Sequence, residues 1–174
     1  MKADTEDING DGVVDWNDFE NVLEQKFEEA YGWRRDSEKY RTSLETLRGV
    51  WDGIRSCGDD DQDGKITEDE WMGMWEKFAL ERETSGRLPD WHHNYIDFLF
   101  GVSDTSGDSL IDKAEFTDTY RVYGLSEENC HKTFDRISTD GAISREDFGM
   151  LWIEYFFSAD PDMKGNYLFG VSDV

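Results

Sequence analysis

The chain has few of the residues that most often carry covalent chemistry. Its 174 residues include two cysteines, Cys57 and Cys130, and three histidines, His92, His93 and His131. The cysteines lie far apart and outside any metal-ligand spacing, which suits a reducing compartment. His92 and His93 read as an exposed pair on a helix, and no nucleophile stands beside a base at a recognisable spacing. An enzyme is therefore not expected. No apolar run approaches the roughly 18 to 20 residues of a membrane span, and the start, Met1 to Asp7, has none of the apolar core of a secretory leader. Lys2 stands where N-terminal acylation would require Gly. Basic residues are scarce as well, 18 Lys and Arg against 41 Asp and Glu, for a formal charge of −23. Such a charge repels nucleic acid and anionic membrane surfaces, and its natural counterions are cations. The expectation is a cytoplasmic, monomeric protein that binds no nucleic acid and does not insert in membranes.

What is abundant is oxygen-bearing side chains at fixed intervals. Three twelve-residue windows, Asp7 to Asp18, Asp59 to Glu70 and Asp104 to Glu115, place them at the first, third, fifth, ninth and twelfth positions. That is the ligand pattern of an EF-hand calcium loop, and three successive matches lie beyond chance. Calcium takes about 6 to 8 oxygens, so a loop must supply several carboxylates and a backbone carbonyl from position seven. The first window offers Asp7, Asn9, Asp11, the carbonyl of Val13, Asp15 and Asp18. The second offers Asp59, Asp61, Asp63, the carbonyl of Lys65, Thr67 and Glu70. The third offers Asp104, Ser106, Asp108, the carbonyl of Leu110, Asp112 and Glu115. Three calcium ions are the expected cofactors.

Two of the windows depart from the pattern. Asp18 is one methylene shorter than Glu, so it must draw the following helix inward or bind through one oxygen. Fewer ligands favour octahedral magnesium, which makes mixed calcium and magnesium occupancy the expectation for the first loop, with reduced calcium affinity as the alternative. Ser109 occupies the bend that usually needs Gly, at a cost of about 1 kcal/mol for positive φ. A fourth repeat, Phe134 to Phe148, has Gly141 at position six and Asp147 at position twelve but Arg136 at position one. A cation there, with Asp140 and Asp147 the carboxylates left at ligand positions, predicts an empty hand that serves as structural partner to the third.

The fold class expected is all-α, two pairs of helix-loop-helix hands with short β-bridges between loops. The apolar eighth residues, Val14, Ile66, Ile111 and Ile143, predict those bridges, Val14 opposite Ile66 and Ile111 opposite Ile143. Helical periodicity brackets the loops: Trp16, Phe19, Leu23, Phe27 and Ala30; Tyr40, Leu44, Leu47, Trp51 and Ile54; Trp71, Met74, Trp75 and Phe78; Trp91, Tyr95, Phe98 and Val102; Phe116, Tyr120 and Tyr123. Thr67 and Glu70 can form a capping box. Breaks are expected at 32–37, at Arg82 to Pro89, and at Tyr123 to Ser126, where Gly124 ends one helix and Ser126 caps the next. The expected parts are residues 1–83, an N-terminal pair; 84–158, a C-terminal pair; and 159–174, a tail.

The wide interval between Asp7 and Asp59, the segments Asp11 to Glu20, Asp104 to Lys113 and Leu151 to Phe156, and the ending Tyr155 to Gly170 resemble the sarcoplasmic calcium-binding proteins of invertebrates and the calexcitins. The resemblance covers nearly the whole chain. It implies three working sites and a silent fourth, calcium binding in neurons or muscle, and an ion-channel or ryanodine-receptor target. It further implies that the tail folds back and inserts Tyr167, Leu168 and Phe169. Relative to that family the entering helix of the first hand is nearly missing, since only six residues precede Asp7. GTP binding, also linked to calexcitins, finds little support in the residues, because Gly58 to Lys65 has the wrong spacing for a phosphate-cradling loop. Aromatics rather than Met dominate the helix faces, which favours a buffer with a closed core. The alternative is a dedicated sensor that exposes a hydrophobic surface to its target.

Overall fold

The computed structural model describes residues 7, 10–21, 32, 34–122 and 124–170. Leu23, Phe27, Ala30 and Tyr123 of the expected apolar stripes, and residues 1–6 ahead of the first loop, lie outside them. The chain divides into two units, Met1–Tyr95 and Ile96–Val174.

In the first unit, β1 (Val13–Val14) leads into α1 (Trp16–Asn21); α2 (Glu38–Gly58), β2 (Ile66–Thr67) and α3 (Glu68–Ser85) follow, and α4 starts at Asp90 and runs to Ser103. Local chemistry sets these limits. Ser37, with extended φ and ψ, accepts the Tyr40 N–H on its hydroxyl at 3.2 Å and so starts α2. Thr67 and Glu70 close the expected capping box at the start of α3. Gly86 ends α3 in the left-handed conformation, φ 68°. The expected break at Arg82 is thus corrected, because Arg82, Glu83, Thr84 and Ser85 continue the helix and only 86–89 connect it to α4.

β1 and β2 pair antiparallel with Val14 opposite Ile66, and both side chains are fully buried. Around them pack Phe19, Leu47, Val50, Trp51, Ile54, Trp71, Met74 and Phe78. Phe19 meets Trp51 with ring centroids 5.6 Å apart. A Cβ at Gly53 would lie 2.5 Å from Trp91 Cβ, so α2 and the first turn of α4 approach through a bare backbone.

In the second unit, after α4, come β3 (Leu110–Ile111), α5 (Lys113–Val122), α6 (Glu127–Ile137), β4 (Ile143–Ser144), α7 (Arg145–Phe157) and a 3-10 turn (Lys164–Tyr167). Gly124 at φ 90° and Ser126, which accepts the Asn129 N–H, separate α5 from α6 as expected. β3 and β4 pair with Ile111 opposite Ile143, both fully buried. Phe116, Phe134, Ile137, Phe148, Leu151, Trp152 and Leu168 form the core. Of the three tail residues expected inside, Leu168 is wholly buried, whereas Tyr167 and Phe169 are half-buried.

The face of α4 is the main correction. Tyr95 and Phe98 are half-buried, and the residues one step along, His92, Ile96 and Phe100, are buried with Trp91 and Val102. The helix is apolar around much of its circumference, so periodicity alone leaves two adjacent stripes open. His92 is therefore no exposed partner of His93: it is 2% exposed, with Trp75 and Trp91 rings 6.2 and 5.7 Å away. Burial, reinforced by the charge of His93, pushes the His92 imidazole down to about 4.

A His whose folded pKa lies below its unfolded value stays neutral in the fold while the unfolded chain takes up a proton. The stability it protects is complete above about pH 6.5 and is lost as pH falls towards 4. Between pH 7 and pH 4 the wild-type chain should lose about 3 kcal/mol relative to His92→Phe. Urea unfolding at each pH, with calcium chelated, measures it; parallel losses in both proteins would contradict the assignment.

Candidate metal centre

Each of the first three loops is bent around its first carboxylate. Asp7 accepts the N–H groups of Gly10 at 2.7 Å, Asp11 at 3.2 Å and Gly12 at 2.9 Å. Asp59 accepts those of Asp63 and Gly64, both at 3.1 Å. Asp104 accepts Gly107 at 2.8 Å, Asp108 at 3.2 Å and Ser109 at 3.0 Å. Backbone donors converging on one anion require positive φ at the bend, supplied by Gly10 and Gly12, by Gln62 and Gly64, and by Gly107 and Ser109. Ser109, at φ 68°, is in the strained conformation expected of it.

The fifth-position carboxylates turn the chain towards position seven. Asp11, Asp63 and Asp108 accept the N–H of Val13, Lys65 and Leu110 at 3.2, 2.8 and 2.9 Å. In the second loop Asp59, Asp61 and Asp63 each bring a carboxylate oxygen within 4.8 Å of the others. This is the spacing at which a hard cation can take one oxygen from each. A cavity of about 530 Å³ lined by Arg55, Ser56, Asp59, Gln62, Asp63 and Gly64 opens there.

The twelfth-position acids close the loops from the other side. Glu70 accepts the Thr67 N–H at 2.9 Å and hydroxyl at 2.8 Å on one oxygen and the Asp60 N–H at 3.1 Å on the other. Glu115 accepts the Asp112 N–H at 3.0 Å, and on its other oxygen the Ser106 N–H at 2.8 Å and the Thr105 hydroxyl at 3.1 Å. Both acids thus span their loops from exit to entry. The Thr67 N–H and hydroxyl hold Glu70 below the usual carboxylate range. For Glu115 burial acts upward, but the donors from Asp112, Ser106 and Thr105 outweigh it and the net direction is down. Both stay ionised at neutral pH and ready for a cation.

Asp18, the shorter acid, is fully buried and accepts the Asp15 N–H at 2.9 Å. Asp15 in turn accepts the N–H and side-chain amide of Asn17 at 2.7 and 3.1 Å. Asn9, the third-position residue of this loop, lies outside the described residues. In the third loop Ser106 donates its hydroxyl to Asp104 at 3.4 Å. Thr105 at position two, overlooked in the sequence because that position is not a ligand, orients the Glu115 carboxylate.

The fourth loop is built on a different turn. Thr139 and Ala142 exchange N–H···O=C bonds of 3.0 and 3.1 Å around Asp140 and Gly141, which sit at φ 52° and 83°. Two left-handed residues in an Asp-Gly pair make a two-residue hairpin. The Asp-Gly dipeptide was a legible signal for it. Arg136 replaces the anion that gathers amides in the other loops, and its guanidinium lies 3.5 Å from the Tyr167 ring centroid. Asp147 instead serves the helix, accepting the Ser144 hydroxyl at 2.7 Å in a capping box.

A family model described as an EF-hand domain pair matches residues 54–77, the second loop with its flanking turns. Calexcitin-1 of Caenorhabditis elegans is 31% identical over 173 residues, covering 96% of this chain and 81% of that protein. Sarcoplasmic calcium-binding proteins I, III and IV of Branchiostoma lanceolatum are 28% identical over 138 residues, covering 79% of this chain and 74% of theirs. The structure of a sarcoplasmic calcium-binding protein from amphioxus superposes with a TM-score of 0.78 at 28% identity, over 95% of this chain and 90% of that one. Among the described residues no helix is long and apolar enough to cross a membrane.

Replacing Ser109 by Gly removes the cost of its positive φ. Ser109→Gly should stabilise the metal-free protein by about 1 kcal/mol in urea unfolding; an unchanged or lowered midpoint would mean that the bend stores no strain.

Proposed function

This chain belongs to the calexcitin and sarcoplasmic calcium-binding protein family of EF-hand proteins, and from that premise we propose that its first three loops each hold one ion and that it buffers calcium inside neuronal or muscle cells. Calcium binding itself comes with the family. The assignment of loops is carried by one contrast: amides gathered on a first-position Asp in three loops, and an Asp-Gly hairpin behind Arg136 in the fourth.

The proposed ligands are Asp7, Asn9, Asp11, Val13 O, Asp15 and Asp18; Asp59, Asp61, Asp63, Lys65 O, Thr67 and Glu70; and Asp104, Ser106, Asp108, Leu110 O, Asp112 and Glu115. Calcium supplies a divalent charge that cancels the mutual repulsion of four carboxylates in each loop. At a free concentration 100 times the dissociation constant each filled site adds about 2.7 kcal/mol to stability. Magnesium competes at the first loop, where buried Asp18 is shorter than the Glu of the other two. A cytoplasmic, monomeric, non-catalytic role accords with two free cysteines and with the absence of catalytic groupings in the sequence. Regulation of an ion channel or ryanodine receptor is the alternative role, and it requires a sensor.

Calorimetric titration of the metal-free protein, repeated in millimolar magnesium, tests this. Three calcium ions per chain at about 10⁻⁸ M, weakened by magnesium, are expected of the buffer; sites at about 10⁻⁶ M indifferent to magnesium would instead mean a sensor. Asp18→Glu should reduce magnesium competition at one site, and Glu70→Gln and Glu115→Gln should each remove one high-affinity calcium ion.

A further inference from the structure

We propose that the C-terminal turn is a calcium-coupled latch, in which residues 164–170 secure the fourth hand in place of an ion and grip most firmly when the third loop is filled. The inference rests on the reading that the third loop binds calcium. Its starting point is Arg136. At the position where an ion site needs an anion, this exposed side chain lies over the ring of Tyr167 at 3.5 Å from its centroid. Arg136 also sits in the last turn of α6, where the helix end favours a cation. A fixed side-chain cation thus joins hand four to the tail.

The rest of the turn is fitted to α7. Gly165 donates its N–H to Glu154 at 2.8 Å, and a Cβ there would lie 2.4 Å from both Glu154 Cβ and the Leu151 carbonyl oxygen. Only a glycine lets the turn lie this close. Leu168 is fully buried, and Phe169 has its ring 4.8 Å from Tyr155 and 5.5 Å from Trp152.

The link to the third loop runs through α5. The Phe169 ring lies 6.1 Å from that of Tyr120, which stacks on Phe116 at 4.1 Å and 16°. Phe116 directly follows Glu115, the acid that spans the third loop. The tail therefore touches α6 and α7 of the fourth hand and also the exiting helix of the third, whose first turn carries an ion ligand. An ion that fixes Glu115 fixes the start of α5 and with it one wall of the tail's seat. Linkage makes this reciprocal: if calcium favours the docked tail, the docked tail favours calcium by the same factor.

The test is amide hydrogen exchange of the full-length protein across a range of free calcium, following segments 104–112 and 164–170. In the wild type both segments should gain protection together as calcium rises. Arg136→Gln and Gly165→Val should lose tail protection and move the calcium midpoint of 104–112 upward by about fivefold or more. Tyr167→Phe, which keeps the ring, should match the wild type. Arg136 is exposed, so Arg136→Gln leaves the core intact and decides the matter even if Gly165→Val folds poorly. Tail protection independent of calcium, or release of the tail with no change in the 104–112 midpoint, would overturn the latch while leaving the third site standing. No calcium-dependent protection of 104–112 would remove the third site itself, and the latch with it.

Discussion

A carboxylate that accepts several backbone N–H groups forces a short segment of chain into a tight, left-handed bend, and that bend turns the following oxygens inward. In this protein the first-position aspartates Asp7, Asp59 and Asp104 each do so. Everything that defines the three loops follows: the fifth-position acid can reach the seventh-position amide, and in the second and third loops the twelfth-position Glu can fold back over the entry. The amides also offset part of the repulsion among acids held close together, so the loops can take up their shape before an ion arrives.

The same interaction connects metal chemistry to the core. Once the loop has turned, its eighth residue is extended and faces inward, and Val14 with Ile66, and Ile111 with Ile143, pair as completely buried bridges. The twelfth-position acid begins the exiting helix, so Glu70 in its capping box places Trp71, Met74 and Phe78, and Glu115 places Phe116 and Tyr120. Few of these side chains are Met, and the rings interlock at centroid distances near 6 Å or less. Planar rings packed against one another have fewer ways to repack than flexible thioethers, which is the physical basis for expecting a buffer rather than a groove-opening sensor.

The fourth hand carries the contrary case. With Arg136 at position one there is no anion to gather amides, and the segment takes the alternative its Asp-Gly pair prefers, a two-residue hairpin. The β-bridge to the third loop survives because it depends on Ile143 and Ser144 rather than on an ion. What the sequence could say about this hand was that its charge was wrong and that its Asp-Gly pair suits a tight turn. That the displaced cation lies on Tyr167 depends on a chain reversal some thirty residues downstream, which no local pattern encodes.

Loop position, bridge register, helix caps at Thr67 and Ser126, and strain at Ser109 were legible because each is decided within a dozen residues, by ligand spacing, turn stereochemistry or a reciprocal hydrogen bond. The end of α3 was misread because Arg82 to Ser85 are polar but good enough for a helix, and only Gly86 stops it. The face of α4 was misread because a helix apolar on most sides can present either of two stripes, and the choice fell to the close approach at Gly53 and to a place for His92 among Trp75 and Trp91. Thus the sequence by itself determined which loops have the oxygens for an ion and how they pair, since those are short-range matters of charge and backbone geometry. Only the tertiary structure decided which sides of the helices are buried and where Arg136 and the tail meet, since those depend on packing between segments far apart in the chain.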